Sequence, residues 1–126
     1  MITGSVNSHL EESIRLTVRG SHGQRKRIRA VIDTGYNGAL TLPLDVIAEL
    51  ALPWLETGFV VLGDGSICDC DTYAGIVVWD RRPISILVDE AETTPLVGTQ
   101  LLHGFELKMK VQRHGQVTIK PLRGRR

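Results

Sequence analysis

The strongest periodicity along the chain is two. Ile14, Leu16 and Val18 alternate with Arg15, Thr17 and Arg19, the pattern of a strand with one wet face. After Gly20-Ser21-His22-Gly23 the alternation resumes at Arg25 and turns fully apolar at Ala30-Val31-Ile32, which predicts a β-hairpin. A second series starts with Phe59-Val60-Val61-Leu62, turns at Gly63-Asp64-Gly65-Ser66 and runs from Ile67 to Trp79. Asp-Gly between two apolar runs is a strong hairpin signal. Asp80-Arg81-Arg82-Pro83 predicts another turn, before a strand at Ile84–Val88. Near the end, Leu107, Met109 and Val111 alternate with Lys108 and Lys110; a His114-Gly115 turn and a strand at Val117–Lys120 follow. One helix is predicted, with Pro43 at its first position and Leu44, Ile47, Leu50 and Ala51 forming its apolar stripe, ending before Pro53. A shorter helical turn follows Gly98, at Thr99–Leu102. Many short strands and little helix predict an all-β domain, closed or sandwich-like.

The 126 residues make one domain, 1–126, large enough to bury a core without staples. Residues 122–126 read as a frayed basic tail. With 42% hydrophobic and 23% charged residues, the chain is not intrinsically disordered. Its 15 Lys+Arg nearly cancel 14 Asp+Glu, so bulk charge gives no reason to expect nucleic acid. Arg25, Lys26, Arg27 and Arg29 alternate with Ile28 and Ala30 and lack interleaved aromatics, so they read as a solvated strand face. No apolar run approaches the roughly 18 residues of a membrane span, and the N-terminus lacks the pattern of a secretory signal. Cys68 and Cys70 would share one face of a strand, near the upper limit of disulfide reach. A soluble, reduced, cytoplasmic domain is expected, with neither nucleic acid nor membrane as partner.

Asp33 directly follows the apolar run Ala30-Val31-Ile32, where a carboxylate is expensive to bury. Thr34 and Gly35 come next, an ordinary turn composition. An echo of the same form, Pro95-Leu96-Val97-Gly98-Thr99, lies later in the chain. Other chemistries lack support. The histidines and cysteines show no zinc-ligand spacing, neither cysteine has a nucleophile signature, and there is no G-x-S-x-G, P-loop or Rossmann pattern. No metal or cofactor is expected. Trp54 and Trp79 are expected in or around the core.

From about Ile14 to Ile119 the chain resembles the retropepsin-like aspartic proteases. It looks most like small bacterial single-domain members, through Asp33-Thr34-Gly35-Tyr36-Asn37-Gly38-Ala39-Leu40-Thr41-Leu42-Pro43. By the same resemblance, Leu62-Gly63-Asp64-Gly65-Ser66 looks like a flap tip and Leu96-Val97-Gly98 like the second apolar-apolar-Gly element. The resemblance implies an acid-protease closed β-barrel and an aspartic endopeptidase, with Asp33, Thr34 and Gly35 as the catalytic set. It also implies substrate binding by Tyr36, Asn37 and Gly38, by Leu62–Ser66, and by Leu96, Val97 and Gly98.

Such hydrolysis needs one carboxylate as base and one protonated carboxyl as acid. None of Asp45, Asp64, Asp69, Asp71, Asp80 or Asp89 is followed by Thr/Ser-Gly. One chain therefore supplies one of two aspartates, and a C2 homodimer with Asp33 from each subunit is the consistent solution. The resemblance implies an interface drawing on residues 1–7 and 117–122. Tyr36 stands where the family often has Ala or Ser, and its phenol oxygen lies too far out to repeat a serine's bond to the carboxylate. The pH–rate profile is expected to peak above about pH 4. An alternative is a dimeric peptide-binding or regulatory domain with the same fold and little turnover.

Overall fold

The computed structural model describes residues 1–61 and 64–122. Leu62 and Gly63 of the expected flap tip, and Arg123-Gly124-Arg125-Arg126 of the expected tail, lie outside the described residues. The alternating segments are strands, β2 (Glu12–Arg19) and β3 (Arg25–Ile32), paired antiparallel with Ile14 opposite Ala30 and Leu16 opposite Ile28. Ile14, Leu16, Val18, Ile28, Ala30 and Ile32 enter the core, and the odd-numbered arginines point away from it.

Before this hairpin comes β1 (Ile2–Val6). After it come β4 (Leu40–Leu42), α1 (Leu44–Glu49), β5 (Trp54–Val61), β6 (Ile67–Trp79) and β7 (Arg82–Glu90). The chain continues through β8 (Leu96–Val97), α2 (Thr99–Leu102), β9 (Phe105–Met109) and β10 (Gln116–Pro121). The sheet order is β5-β6-β7-β4-β8-β3-β2-β1-β10-β9. A further pairing joins Arg19 of β2 to Ile76 of β6, so the circuit β2–β6–β7–β4–β8–β3 returns to β2. Two contacts in this circuit are parallel, β3 with β8 and β4 with β7. Inside it lie Val18, Leu40, Val77, Val88 and Val97, all fully buried.

Pro43 caps α1 in extended conformation, one residue before the first helical position where the sequence suggests it. Of the predicted stripe, Ile47 and Leu50 are buried, while Leu44 and Ala51 are exposed. The helix has only six residues, less than two turns, so little of the stripe reaches the core. Trp79 is in the core, but Trp54 is 58% exposed, held at the surface by its indole N–H donating to Asp71 at 3.2 Å. Cys68 is exposed, Cys70 is buried, and both are free thiols. The last alternating segment ends at Met109 rather than Val111, which is 65% exposed. Among the described residues no helix is long and apolar enough to cross a membrane.

Candidate active site

Asp33 leaves the end of β3 where that strand runs parallel to β8. The Val31 N–H donates to the Pro95 carbonyl at 2.8 Å, and the Asp33 N–H donates to the Val97 carbonyl at 2.9 Å. The two echoing segments of the sequence are thus neighbours in space, Val31 beside Leu96 and Ile32 beside Val97. The Asp33 carbonyl accepts the Tyr36 N–H at 3.1 Å, closing a turn, and its Oδ1 accepts the Gly35 N–H at 2.9 Å. Asp33 is half-buried; Thr34 and Gly35 are exposed. A Cβ on Gly35 would lie 3.3 Å from that carboxylate oxygen, so glycine leaves it undisturbed. Among the described residues the Thr34 hydroxyl has no hydrogen-bond partner.

Tyr36 folds back under this turn. Its ring fills the space where Gly38 would carry a Cβ, which would stand within van der Waals overlap of the phenol. Its carbonyl accepts the Thr99 N–H at 2.9 Å, and the Gly98 N–H donates to the Ala39 carbonyl at 3.0 Å. A Cβ on Gly98 would meet the Gly38 carbonyl oxygen at 2.2 Å. Gly98 is therefore glycine because two loops touch there, not because of its φ of −101°. Val97 has a fully buried side chain, Leu96 is half-buried, and Asn37 is exposed.

The phenol of Tyr36 donates to Asp89 Oδ2 at 2.5 Å, and Thr72 of β6 donates to Asp89 Oδ1 at 3.4 Å. Asp89 and Thr72 were not singled out from sequence. The usable signal was that Asp89, like Asp33, directly follows an apolar run, Ile86-Leu87-Val88. Burial, then the hydrogen bond to and charge of Asp89, raise the Tyr36 pKa above its ordinary 10.0. In the unfolded chain Tyr36 loses its proton near pH 10 while the native chain keeps it, so this stabilisation is present below pH 10 and lost as pH climbs further. Tyr36→Phe should cost about 1–3 kcal/mol at neutral pH, because Asp89 loses its close donor. It should also make the fall in stability above pH 10 shallower than in wild type, as denaturant midpoints across pH would show. Tyr73, raised by partial burial and by its bond to Glu90, keeps the residual slope.

On the β5–β6 hairpin, Asp64 accepts the Ser66 N–H at 2.9 Å and the Ser66 hydroxyl at 2.6 Å, which holds its carboxyl below the usual range. Gly65 takes a φ of +87° in this exposed turn, a conformation glycine adopts freely. Burial pushes the Cys70 thiol up, against any role as a thiolate nucleophile. Among the described residues no three His, Cys, Asp or Glu side chains converge as metal ligands. Two surface grooves, about 640 and 840 Å³, share Trp79, Ile84, His103 and Phe105, and Asp33 lines neither.

No family model and no curated protein matches the sequence. Among solved structures, the chain is similar to the crystal structure of a retropepsin-like aspartic protease from Rickettsia conorii, with a TM-score of 0.58. The match covers 96% of this chain and 90% of that one at 15% sequence identity. A likeness at that identity is one of fold.

Proposed function

We propose that the chain is an aspartic endopeptidase whose active site forms on the two-fold axis of a homodimer, with one Asp33 from each subunit. The observation that carries this reading is the setting of Asp33. Its backbone is pinned to β8, its carboxylate is oriented by Gly35, and its side chain stays accessible beside an exposed Thr34. A single carboxylate in that setting has no partner aspartate from its own loop, and a second copy supplies one. Two carboxyls brought together share a proton, since they do not both ionise readily. The charged one takes a proton from water as that water attacks the peptide carbonyl carbon, and the protonated one gives its proton to the carbonyl oxygen. The C–N bond of the resulting tetrahedral diol then breaks as the nitrogen takes the proton drawn from water and the diol returns the other to the dyad. Thr34, with its hydroxyl available, is suited to tie one Asp33 turn to the other. The turn at Asp64-Gly65-Ser66 belongs to the hairpin proposed to cover substrate. The strand circuit through β2 and β6 supports the closed-barrel reading.

The segments expected at the interface, 1–7 and 117–122, contain β1 and most of β10, which pair with each other within the chain. β1 is flanked by β10 along Ile2–Ser5 and by β2 from Gly4 to Val6, and β10 lies between β1 and β9, so most of the edge backbone of both strands is paired within the chain. The outer edge of β9, last in the sheet order, is the backbone open to a second copy at this end. Screening a peptide library for cleavage by wild type and by Asp33→Asn tests the function. Cleavage by wild type alone supports the enzyme. Equal peptide binding with cleavage by neither supports a binding module.

A further inference from the structure

We propose that the outward face of the β2–β3 hairpin, together with the open edge of β3, is a docking site for an extended acidic segment of polypeptide. Strand register sets Arg15 opposite Arg29 and Arg19 opposite Arg25, with Arg27 opposite Thr17 between them. All five arginines share one parity and therefore one face. Four are exposed, and Arg19 is half-buried. Like charges directly opposite each other destabilise a sheet. Among the described residues no carboxylate pairs with them. The ion pairs among the described residues are Met1–Asp80, Lys26–Glu49 and Lys120–Glu106, none of which involves these arginines. On the β6 side their neighbours are Ile76, opposite Arg19, and Val78, opposite Thr17. A face that costs stability and holds no anion among the described residues is suited to an external one.

The backbone identifies the form of that anion. β3 pairs with β8 only at Val31 and Ile32, so from Arg25 to Ala30 its far edge carries no strand among the described residues. A segment adding there pairs its own backbone with that edge and lays every second side chain on the arginine face. Arg25, Arg27 and Arg29 recur at about 6.6–6.8 Å, twice the rise per residue of a strand. An extended chain with Glu or Asp at alternate positions repeats at the same interval. Each guanidinium can grip a carboxylate with two parallel hydrogen bonds. Single-stranded nucleic acid fits less well, since no aromatic side chain stands on this face to stack a base.

The site can be tested on Asp33→Asn protein, which keeps any cleavage out of the measurement. The probe is a fluorescein-labelled ten-residue peptide alternating Glu and Thr, read by anisotropy beside a Lys-Thr peptide and a single-stranded oligonucleotide. The expected result is saturable binding of the Glu peptide alone, weakened by high salt and weakened at least about tenfold by Arg27→Glu or Arg29→Glu. Arg29→Glu also sets an acid opposite Arg15, so this variant should melt no lower than the parent, which separates lost binding from lost fold. Absence of saturable binding, or binding indifferent to both substitutions, overturns the proposal. So does tighter binding of the oligonucleotide, or self-association abolished by the same substitutions, which would make a second copy the occupant.

Discussion

Asp33→Asn is expected to lower kcat/KM for peptide cleavage by at least about 10³-fold, within the range associated with loss of a positioned acid or base. The substitution is nearly isosteric, and an Asn carbonyl oxygen can still accept the Gly35 N–H that Asp33 Oδ1 accepts at 2.9 Å. The backbone bond from Asp33 to Val97 does not involve the side chain at all. The variant should therefore match wild type in thermal unfolding and in oligomeric mass while failing to cleave. Quenched-fluorescence peptides measure the rate, and circular dichroism checks the fold. Retained cleavage at a tenth or more of the wild-type rate would place the chemistry elsewhere.

Gly98→Ala is the second large effect, and it acts through packing. The new methyl would stand 2.2 Å from the Gly38 carbonyl oxygen and 2.6 Å from the Tyr36 carbonyl oxygen, both backbone atoms that cannot swing aside. Overpacking of this kind typically costs about 1–3 kcal/mol. The displacement also falls on the bond from the Asp33 N–H to the carbonyl of Val97, the residue just before the substitution. Activity should drop more than stability alone would explain, because a shifted turn misplaces the carboxylate even in molecules that remain folded. Urea midpoints and activity measured on the same samples separate the two losses. Gly23→Ala serves as a comparison: no neighbour stands near its Cβ, so its cost comes from its φ of +88° and leaves Asp33 in place.

What could be read from the sequence divides along physical lines. The β2–β3 hairpin, the β6–β7 pair and the two short helices follow from local alternation and turn chemistry, and they stand close to their predicted positions. β1 gives little signal, because only Ile2 and Val6 mark its inner face with apolar side chains and Gly4 interrupts the pattern between them. Gly4 is there because a Cβ would press within 2.1 Å of the Ser13 carbonyl oxygen. The first half of β5 was missed for a similar reason, with Trp54 and Leu55 adjacent and both exposed. Asp33, Gly35 and Gly98 were visible as motif residues, but the spatial meaning of Gly98 was not. Nor was the Tyr36–Asp89 bond, which joins residues 53 positions apart through the parallel pairing of β4 with β7. The arginine ladder was visible as a charge run. Its cost became clear only with the register that sets arginine opposite arginine.

Whether two chains share one site is decided by mixing wild type with Asp33→Asn. After subunits exchange fully at equal concentrations, about a quarter of the dimers are wild type on both sides. Activity at fixed total protein should then follow the square of the wild-type fraction and fall to about 25% at the equal mixture. A linear fall, to about half, would mean that each chain carries a complete site of its own.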